Sequence, residues 1–196
     1  MKEKLLKQIA FIHEIDKIKS IFRKTKLFHN GRHENDAEHS WHICMMAVVL
    51  CEYSNKKIDL LKVIKMLLMH DIVEIDAGDV MFYKKGEETV EREKLAAERI
   101  FGLLPREQKE EYISLWIEFE EKKSSEARFA AALDRMEPLL QNIYHKCELY
   151  NENSIAYESV IKMNSLIQDG SAALWEYLKE KFDEYRDKGI FDIICE

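Results

Sequence analysis

The chain has 196 residues, 46% of them hydrophobic and 34% charged, and a formal net charge of -7 at pH 7. This length and composition predict one soluble globular domain over residues 1–196 with a sizeable core. The negative charge disfavours a nucleic-acid polymer as a partner. The apolar runs are shorter than the ~20 residues that span a bilayer, so we expect no membrane partner either.

The 4 cysteines form no CxxC pair, and Cys44 and Cys51 share one helical face with Met, Val and Leu. This pattern is typical of free thiols in a reducing cytoplasm, which is the expected location. With only 6 glycines and 2 prolines, the chain favours long helices. The first predicted helix covers about residues 2–19, and its interspersed charges argue against a secretion signal.

The next segment, residues 24–36, loses the helical pattern and is predicted to be a loop with a turn at Asn30-Gly31. Asn35, followed three residues later by Glu38, predicts a capping box for a helix from Asp36 to Tyr53. A further helix is predicted from residue 60 to about His70 or Glu74. Others are predicted over residues 86–102, 106–121, 126–147 and 154–187, the last of them with a possible break near Gly170. With no convincing strand, we expect an all-α bundle of about six to eight helices, the C-terminal helices of residues 150–190 packing on the rest.

The segment MLLMHDIVEIDAGD, residues 66–79, is an apolar run that ends in one histidine and four carboxylates. Neighbouring His70 and Asp71 point about 100° apart on a helix, so they converge only on something bulky such as a metal ion. His39 and Asp134 interrupt the apolar faces of two other predicted helices, and a buried carboxylate is costly unless a cation neutralises it. Together the four side chains form an N2O2 set, which suits a divalent transition ion with water in its open positions.

The same residues also permit a simpler interpretation. His39 alone is more often a hydrogen-bonded core residue, and Asp134 could pair with Arg128 or Arg135. The joint occurrence of His, His-Asp and Asp in this order favours the metal. Asp76 is interpreted as a solvated residue at a helix end.

Three segments carry a family resemblance: RHENDAEHSWH, MLLMHDIVEIDAGD and ARFAAALDRMEPLLQN. Together they resemble the HD-domain hydrolases, and more closely the single-domain subgroup that includes 5′-deoxynucleotidases, over about residues 18–141. The resemblance implies four metal ligands, namely His39, His70, Asp71 and Asp134. It also implies catalysis by Glu74 and by Asp79, the latter close to the substrate sugar or leaving group.

The resemblance implies a substrate-binding role for the loop before the second helix. Arg32 matches a basic position there. Where the deoxynucleotidases carry an Arg-Trp pair that holds the phosphate, this chain has Lys24 and Thr25. Lys24, or its neighbour Arg23, can still hold a phosphate, but the aromatic side chain is absent.

These features predict a metal-dependent phosphohydrolase, a phosphomonoesterase acting on (deoxy)nucleoside 5′-monophosphates by attack of metal-activated water. Glu74 would position or deprotonate the water. No histidine lies between His70 and Asp134, so we expect one ion per chain, which could be Mn, Co, Fe, Ni or Zn.

Two alternatives stay open. One is another hydrolase on the same metal platform, either a nucleoside triphosphohydrolase or a phosphodiesterase. The other is a non-catalytic helical interaction module with a structural metal, which would have no use for Glu74. The amphipathic helices also leave room for a homodimer.

Overall fold

The computed structural model describes residues 1–78, 86–153 and 155–191. Its helices are α1 (Lys2–Ile15), α2 (Asp36–Leu50), α3 (Leu60–Met69), α4 (Glu74–Ala77), α5 (Glu87–Phe101), α6 (Arg106–Glu121), α7 (Ser125–Tyr144), α8 (Glu148–Glu152), α9 (Tyr157–Asn164), α10 (Ile167–Gly170) and α11 (Ala172–Asp187). Two short strands, β1 (Phe22–Lys26) and β2 (His33–Asn35), lie between α1 and α2. The predicted all-α class is confirmed.

Helix α7 lies at the centre of the fold because its apolar run is buried on nearly every side. Phe129 and Leu133 are fully buried, and the helix contacts α2, α3, α6, α10, α11 and β1. A second apolar cluster, which includes Phe11, Phe101 and Trp116, joins α1, α5 and α6. The two cores hold the ends of α2, α3 and α7 in fixed positions relative to one another.

The predicted helix starts agree with the caps in the structure. Asn35 accepts a hydrogen bond from the backbone N–H of Glu38, whose side chain accepts one from the Asn35 N–H, so the capping box is confirmed. Ser124 caps α7 by accepting from the N–H of Ala127. The first cap fixes the chain just before His39.

The prediction that residues 24–36 form a loop was wrong for residues 24–26 and 33–35, whereas residues 27–32 contain the predicted turn. β1 and β2 pair antiparallel there, with Phe22 opposite Asn35 and Lys26 opposite His33, and an irregularity in the register between these pairs. Gly31 has a φ of 65°, a left-handed conformation that suits glycine at the turn. Strands this short carry too few residues for an alternating pattern to be visible in the sequence.

The helix predicted to start after Asp59 ends at the earlier of its two predicted limits. α3 ends at Met69, a 3₁₀ turn follows over His70–Val73, and α4 begins at Glu74. The predicted break near Gly170 is confirmed, because α10 ends there and α11 begins two residues later. Within the described ranges, no helix is long and apolar enough to cross a membrane.

Candidate metal and substrate site

Three separate helical segments bring His39, His70 and Asp134 together. His39 lies in the first turns of α2 and is fully buried, and His70 begins the 3₁₀ turn after α3. The Oδ1 atom of Asp134, on α7, lies 3.1 Å from Nε2 of His39 and 3.4 Å from Nε2 of His70. One carboxylate oxygen therefore faces both imidazoles.

Asp71 completes the group. Its Oδ1 atom lies 3.1 Å from Nε2 of His70. Donor atoms of His39, His70 and Asp71 all lie within 4.8 Å of one another. The structure thus brings together all four side chains that the sequence suggested as metal ligands.

Both imidazoles are oriented through their Nδ1 atoms. Nδ1 of His39 lies 3.2 Å from a carboxylate oxygen of Glu137, and Nδ1 of His70 lies 2.9 Å from the backbone oxygen of Leu67. Because both partners are acceptors, Nδ1 is the donor in each pair, and Nε2 is directed at the carboxylates.

The surroundings of His70 fit a divalent ion. Its Nε2 atom is buried and has no hydrogen bond of good geometry within the described residues. A buried imidazole nitrogen that faces two carboxylates and has its other nitrogen anchored is the arrangement found at metal-binding histidines. The donor set of two nitrogens and carboxylate oxygens suits ions such as Mn, Fe, Co, Ni or Zn.

Glu137 orients the imidazole of His39 through its Nδ1 atom, and it was not singled out from the sequence. It is fully buried on α7, and its other carboxylate oxygen lies 3.0 Å from Nδ1 of His42. Glu34 is also buried, and one of its oxygens lies 3.6 Å from Nδ1 of His39. The available signal was the spacing: Glu137 follows Asp134 by three residues, just as His42 follows His39.

The electrostatics favour positive charge at the centre of the site. Burial disfavours the imidazolium of His70, but Asp71 and Asp134 outweigh that effect and raise its pKa to about 9. Burial likewise opposes ionisation of Asp134, but its hydrogen bond with His39 and the nearby imidazole of His70 hold its pKa well below the ordinary value. Asp71 and Asp134 are therefore ionised. Their negative charges require a cation between them, either a protonated imidazole or a metal ion.

Arg23 is the basic residue nearest to this group. Its guanidinium donates to Asp71 at 2.8 Å and to Asp36 at 3.2 Å. Burial disfavours the cation, but Asp71, Asp134 and Asp36 raise the pKa of Arg23 well above its ordinary value. Arg23 therefore holds Asp71 from the side opposite His70.

A cavity of about 250 Å³ opens beside the group. At this end it is lined by Arg23, Lys24, His70, Asp71, Glu74 and Asp134. Glu74 is only 5% exposed. Although the helix does not continue as expected, Glu74 lies three residues after Asp71 across the 3₁₀ turn, where side chains three apart share a face.

The remaining predicted site residues lie elsewhere. Arg32 does not line the cavity, and its guanidinium makes two hydrogen bonds to Glu38, at 2.7 and 3.0 Å. Asp79 falls outside the described residues. Asp76 is more than a solvated helix end, because it pairs with Arg99, which also binds Glu14 and so ties α4 and α5 to α1.

The fold and the site are those of a helical protein with a candidate metal centre formed by histidine and aspartate side chains. Residues 15–175 match the family described as HD domain. The chain therefore belongs to the HD-domain family, as its motifs suggested.

Several named relatives and several solved structures are similar to the chain. A 5′-deoxynucleotidase HDDC2 from Homo sapiens is 29% identical over 136 residues, which is 68% of this chain and 65% of the relative. The protein of the same name from Dictyostelium discoideum is 34% identical over 134 residues, 64% of this chain and 70% of the relative. The alignment thus spans just under two thirds of the human relative's length. A structure described as a "Predicted metal-dependent phosphohydrolase" from Magnetospirillum magnetotacticum is 44% identical, covers 96% of this chain and 95% of its own, and gives a TM-score of 0.91.

Proposed function

We propose that the protein is a metal-dependent phosphohydrolase that removes the phosphate from (deoxy)nucleoside 5′-monophosphates. One observation carries the proposal. The imidazoles of His39 and His70 converge with the carboxylates of Asp71 and Asp134 at one end of a cavity that Glu74 also lines. The similarity to 5′-deoxynucleotidases and to a structure described as a metal-dependent phosphohydrolase supports both the reaction and the substrate class.

The four ligand residues would hold one divalent ion, which could be Mn, Co, Fe, Ni or Zn. When bound, such an ion lowers the pKa of a water molecule and offsets charge on the phosphoryl group. A single ion is supported because no further histidine occurs between His70 and Asp134. The other residues of the site then act on the water and on the substrate.

Glu74 would accept the proton of the attacking water. It lines the cavity beside His70 and Asp71, and its burial places the carboxylate away from bulk solvent. A structural metal site has no need of such a carboxylate. Glu74 therefore favours the enzyme over the non-catalytic interaction module.

Lys24 and Arg23 line the cavity beside the predicted ligands and would bind the substrate phosphate, and Arg135 and Lys122 also line the cavity. Lys24 is the better candidate for direct contact, because Arg23 is committed to Asp36 and Asp71. Arg32 would contribute only if it left Glu38. Asp79 stays a predicted contact to the leaving group, and a triphosphate would require more cations than the segment of residues 24–36 offers.

The proposal is tested by a phosphate-release screen with purified protein. Deoxy- and ribonucleoside 5′-monophosphates, nucleoside triphosphates, a cyclic nucleotide and small phosphate esters are compared after loading with each candidate ion. Release from monophosphates, dependent on the ion and abolished by a chelator, is the expected result. Hydrolysis of the nucleoside triphosphates in preference to the monophosphates, or opening of the cyclic nucleotide, would favour the alternative hydrolases.

The expected homodimer and cytoplasmic location remain part of the proposal. An exposed apolar stripe on α2 supports a dimer, since Trp41, Met45, Val48 and Val49 are 65%, 43%, 47% and 63% exposed. Three cysteines in the described residues are free, as expected in a reducing compartment. Sedimentation of the wild type and of Trp41→Glu tests the dimer, which the variant should weaken.

A further inference from the structure

Glu74 begins a helical segment that is too short to hold its own position. Helix α4 has four residues, follows a 3₁₀ turn and ends before Gly78, whose φ of 74° turns the chain out of the helix. A single helical turn is not stable in isolation, because its formation fixes several residues for one hydrogen bond. The position of the Glu74 carboxylate therefore depends on what α4 packs against.

The apolar packing of this segment is directed toward α5. Ile72 and Val73, which directly precede Glu74, are buried in the apolar cluster that also contains Phe101 of α5. Burial of apolar surface holds the segment on α5, but the hydrophobic effect is non-directional and sets no register along a helix. A shift of α4 along α5 would move the Glu74 carboxylate relative to the predicted metal ligands.

Asp76 gives the same segment a directional contact. Arg99, in the last turn of α5, donates through Nε and Nη2 to the two carboxylate oxygens of Asp76, and the bond from Nη2 is 2.7 Å long. A guanidinium that makes two bonds to one carboxylate fixes both the separation and the relative orientation of the two groups. The pair therefore sets the register of α4 on α5 at a position two residues from Glu74.

The guanidinium of Arg99 is itself held by α1. Its Nη2 atom also donates to Glu14 at 2.7 Å, and Lys17 donates to the same carboxylate at 2.9 Å. The side chains of Asp76 and Arg99 are 36% and 44% exposed, and ion pairs with this exposure contribute little to the free energy of unfolding. The network thus joins α1, α4 and α5 beside the site, while its expected contribution to stability is small.

We propose that Asp76 and Arg99 are positioning residues that hold the carboxylate of Glu74 at the cavity. This role rests on the proposed function, because the pair acts through the carboxylate that accepts the proton of the attacking water. Among the described residues, neither Asp76 nor Arg99 lines the cavity. Loss of the pair should therefore lower kcat and leave both KM and the metal affinity unchanged.

Arg99→Met tests the pair, because it removes both donors and keeps an unbranched side chain. At saturating Mn²⁺ we expect kcat for deoxynucleoside 5′-monophosphates to fall about 10–100-fold, since a displacement of about 1 Å at a reacting group can cost on the order of 10²-fold. Arg186→Met on α11 is the matched control and should keep the kcat of the wild type. Arg186 and its partner Asp183 are likewise 44% and 36% exposed, and neither lines the cavity. A wild-type kcat in Arg99→Met would overturn the positioning role but leave the phosphohydrolase intact, whereas a wild type that releases no phosphate would remove the proposed function and this role with it.

The same substitution in a Glu74→Gln background separates positioning from general damage to the fold. If the pair acts through Glu74, Arg99→Met should not change the residual rate of Glu74→Gln, because residues that act as a unit have non-additive effects. An equal fold-loss of kcat in the two backgrounds would overturn the proposal. A metal affinity that Arg99→Met lowers as much as kcat would also overturn it, because the substitution would then disturb the whole site.

Discussion

Nδ1 of His39 lies 3.2 Å from Oε2 of Glu137, within the buried interior between α2 and α7. Glu137 follows Asp134 by three residues. One helix therefore carries both a predicted metal ligand, Asp134, and the group that orients another, His39. Burial opposes ionisation of Glu137, but hydrogen bonds from His39 and His42 lower its pKa to about 2. The carboxylate is therefore a permanent acceptor that keeps Nε2 of His39 directed at Asp134.

Replacing Glu137 by Gln should weaken metal binding more than it weakens folding. The amide keeps the shape but no longer offers His39 and His42 two anionic oxygens, and loss of such an orienting partner typically costs about 10–100-fold in metal affinity. Titration of the metal-free protein with Zn²⁺ or Mn²⁺ measures the effect. Glu121→Gln is the control, because its exposed carboxylate pairs with Lys123 at 3.3 Å, away from the site. Unchanged affinity in Glu137→Gln would show that Glu137 is only a packing residue.

Replacing Arg23 by Met should destabilise the fold. It removes the cation that the buried Asp36 and Asp71 both contact, and breaking a buried ion pair from one side costs about 3–5 kcal/mol. Urea denaturation of the metal-free protein gives the free energy of unfolding. Arg32→Met is the matched control, because its pair with Glu38 is exposed to solvent and contributes little. A loss in Arg32→Met as large as in Arg23→Met would contradict the assignment.

Gly170 is required by the close packing of α10 against α7. A Cβ atom there would lie 2.3 Å from the backbone oxygen of Arg128 and 2.8 Å from Cβ of Ala132. We expect Gly170→Ala to lower the free energy of unfolding by about 1–3 kcal/mol through overpacking. Gly86→Ala provides the comparison, since a Cβ at Gly86 meets nothing within 4 Å and its φ is negative. Thermal unfolding of both variants checks the contrast, and equal stability of the two would refute it.

The helices could be predicted from the sequence, and so could the four candidate metal ligands. Each of these is a charged or polar residue in an otherwise apolar helical pattern. Asp134 after Phe129–Leu133 is the clearest case. Glu137 could not be predicted in the same way, because a glutamate in a helix is usually solvated. Its role becomes visible only in the structure, where it is buried against His39.

The hairpin and the 3₁₀ turn after α3 depend on tertiary contacts, which a local pattern does not contain. The pairing of β1 with β2 sets the position of Arg23, and the change of helix type at His70 sets the position of Glu74. The sequence motif identifies which residue types form the site. The packing of α2, α3 and α7 determines the distances between these residues.

We propose that Glu74 acts on the water while the other four side chains hold the metal. This division of roles is tested most directly by measuring metal content and phosphate release together in the wild type, Glu74→Gln and Asp134→Asn. We predict that Glu74→Gln retains the metal of the wild type and loses activity by about 10²–10⁴-fold, the usual contribution of a general base. Asp134→Asn should lose both metal and activity. A Glu74→Gln protein that retains both metal and full activity would contradict the role of Glu74. A wild type that binds no divalent ion would contradict the metal site.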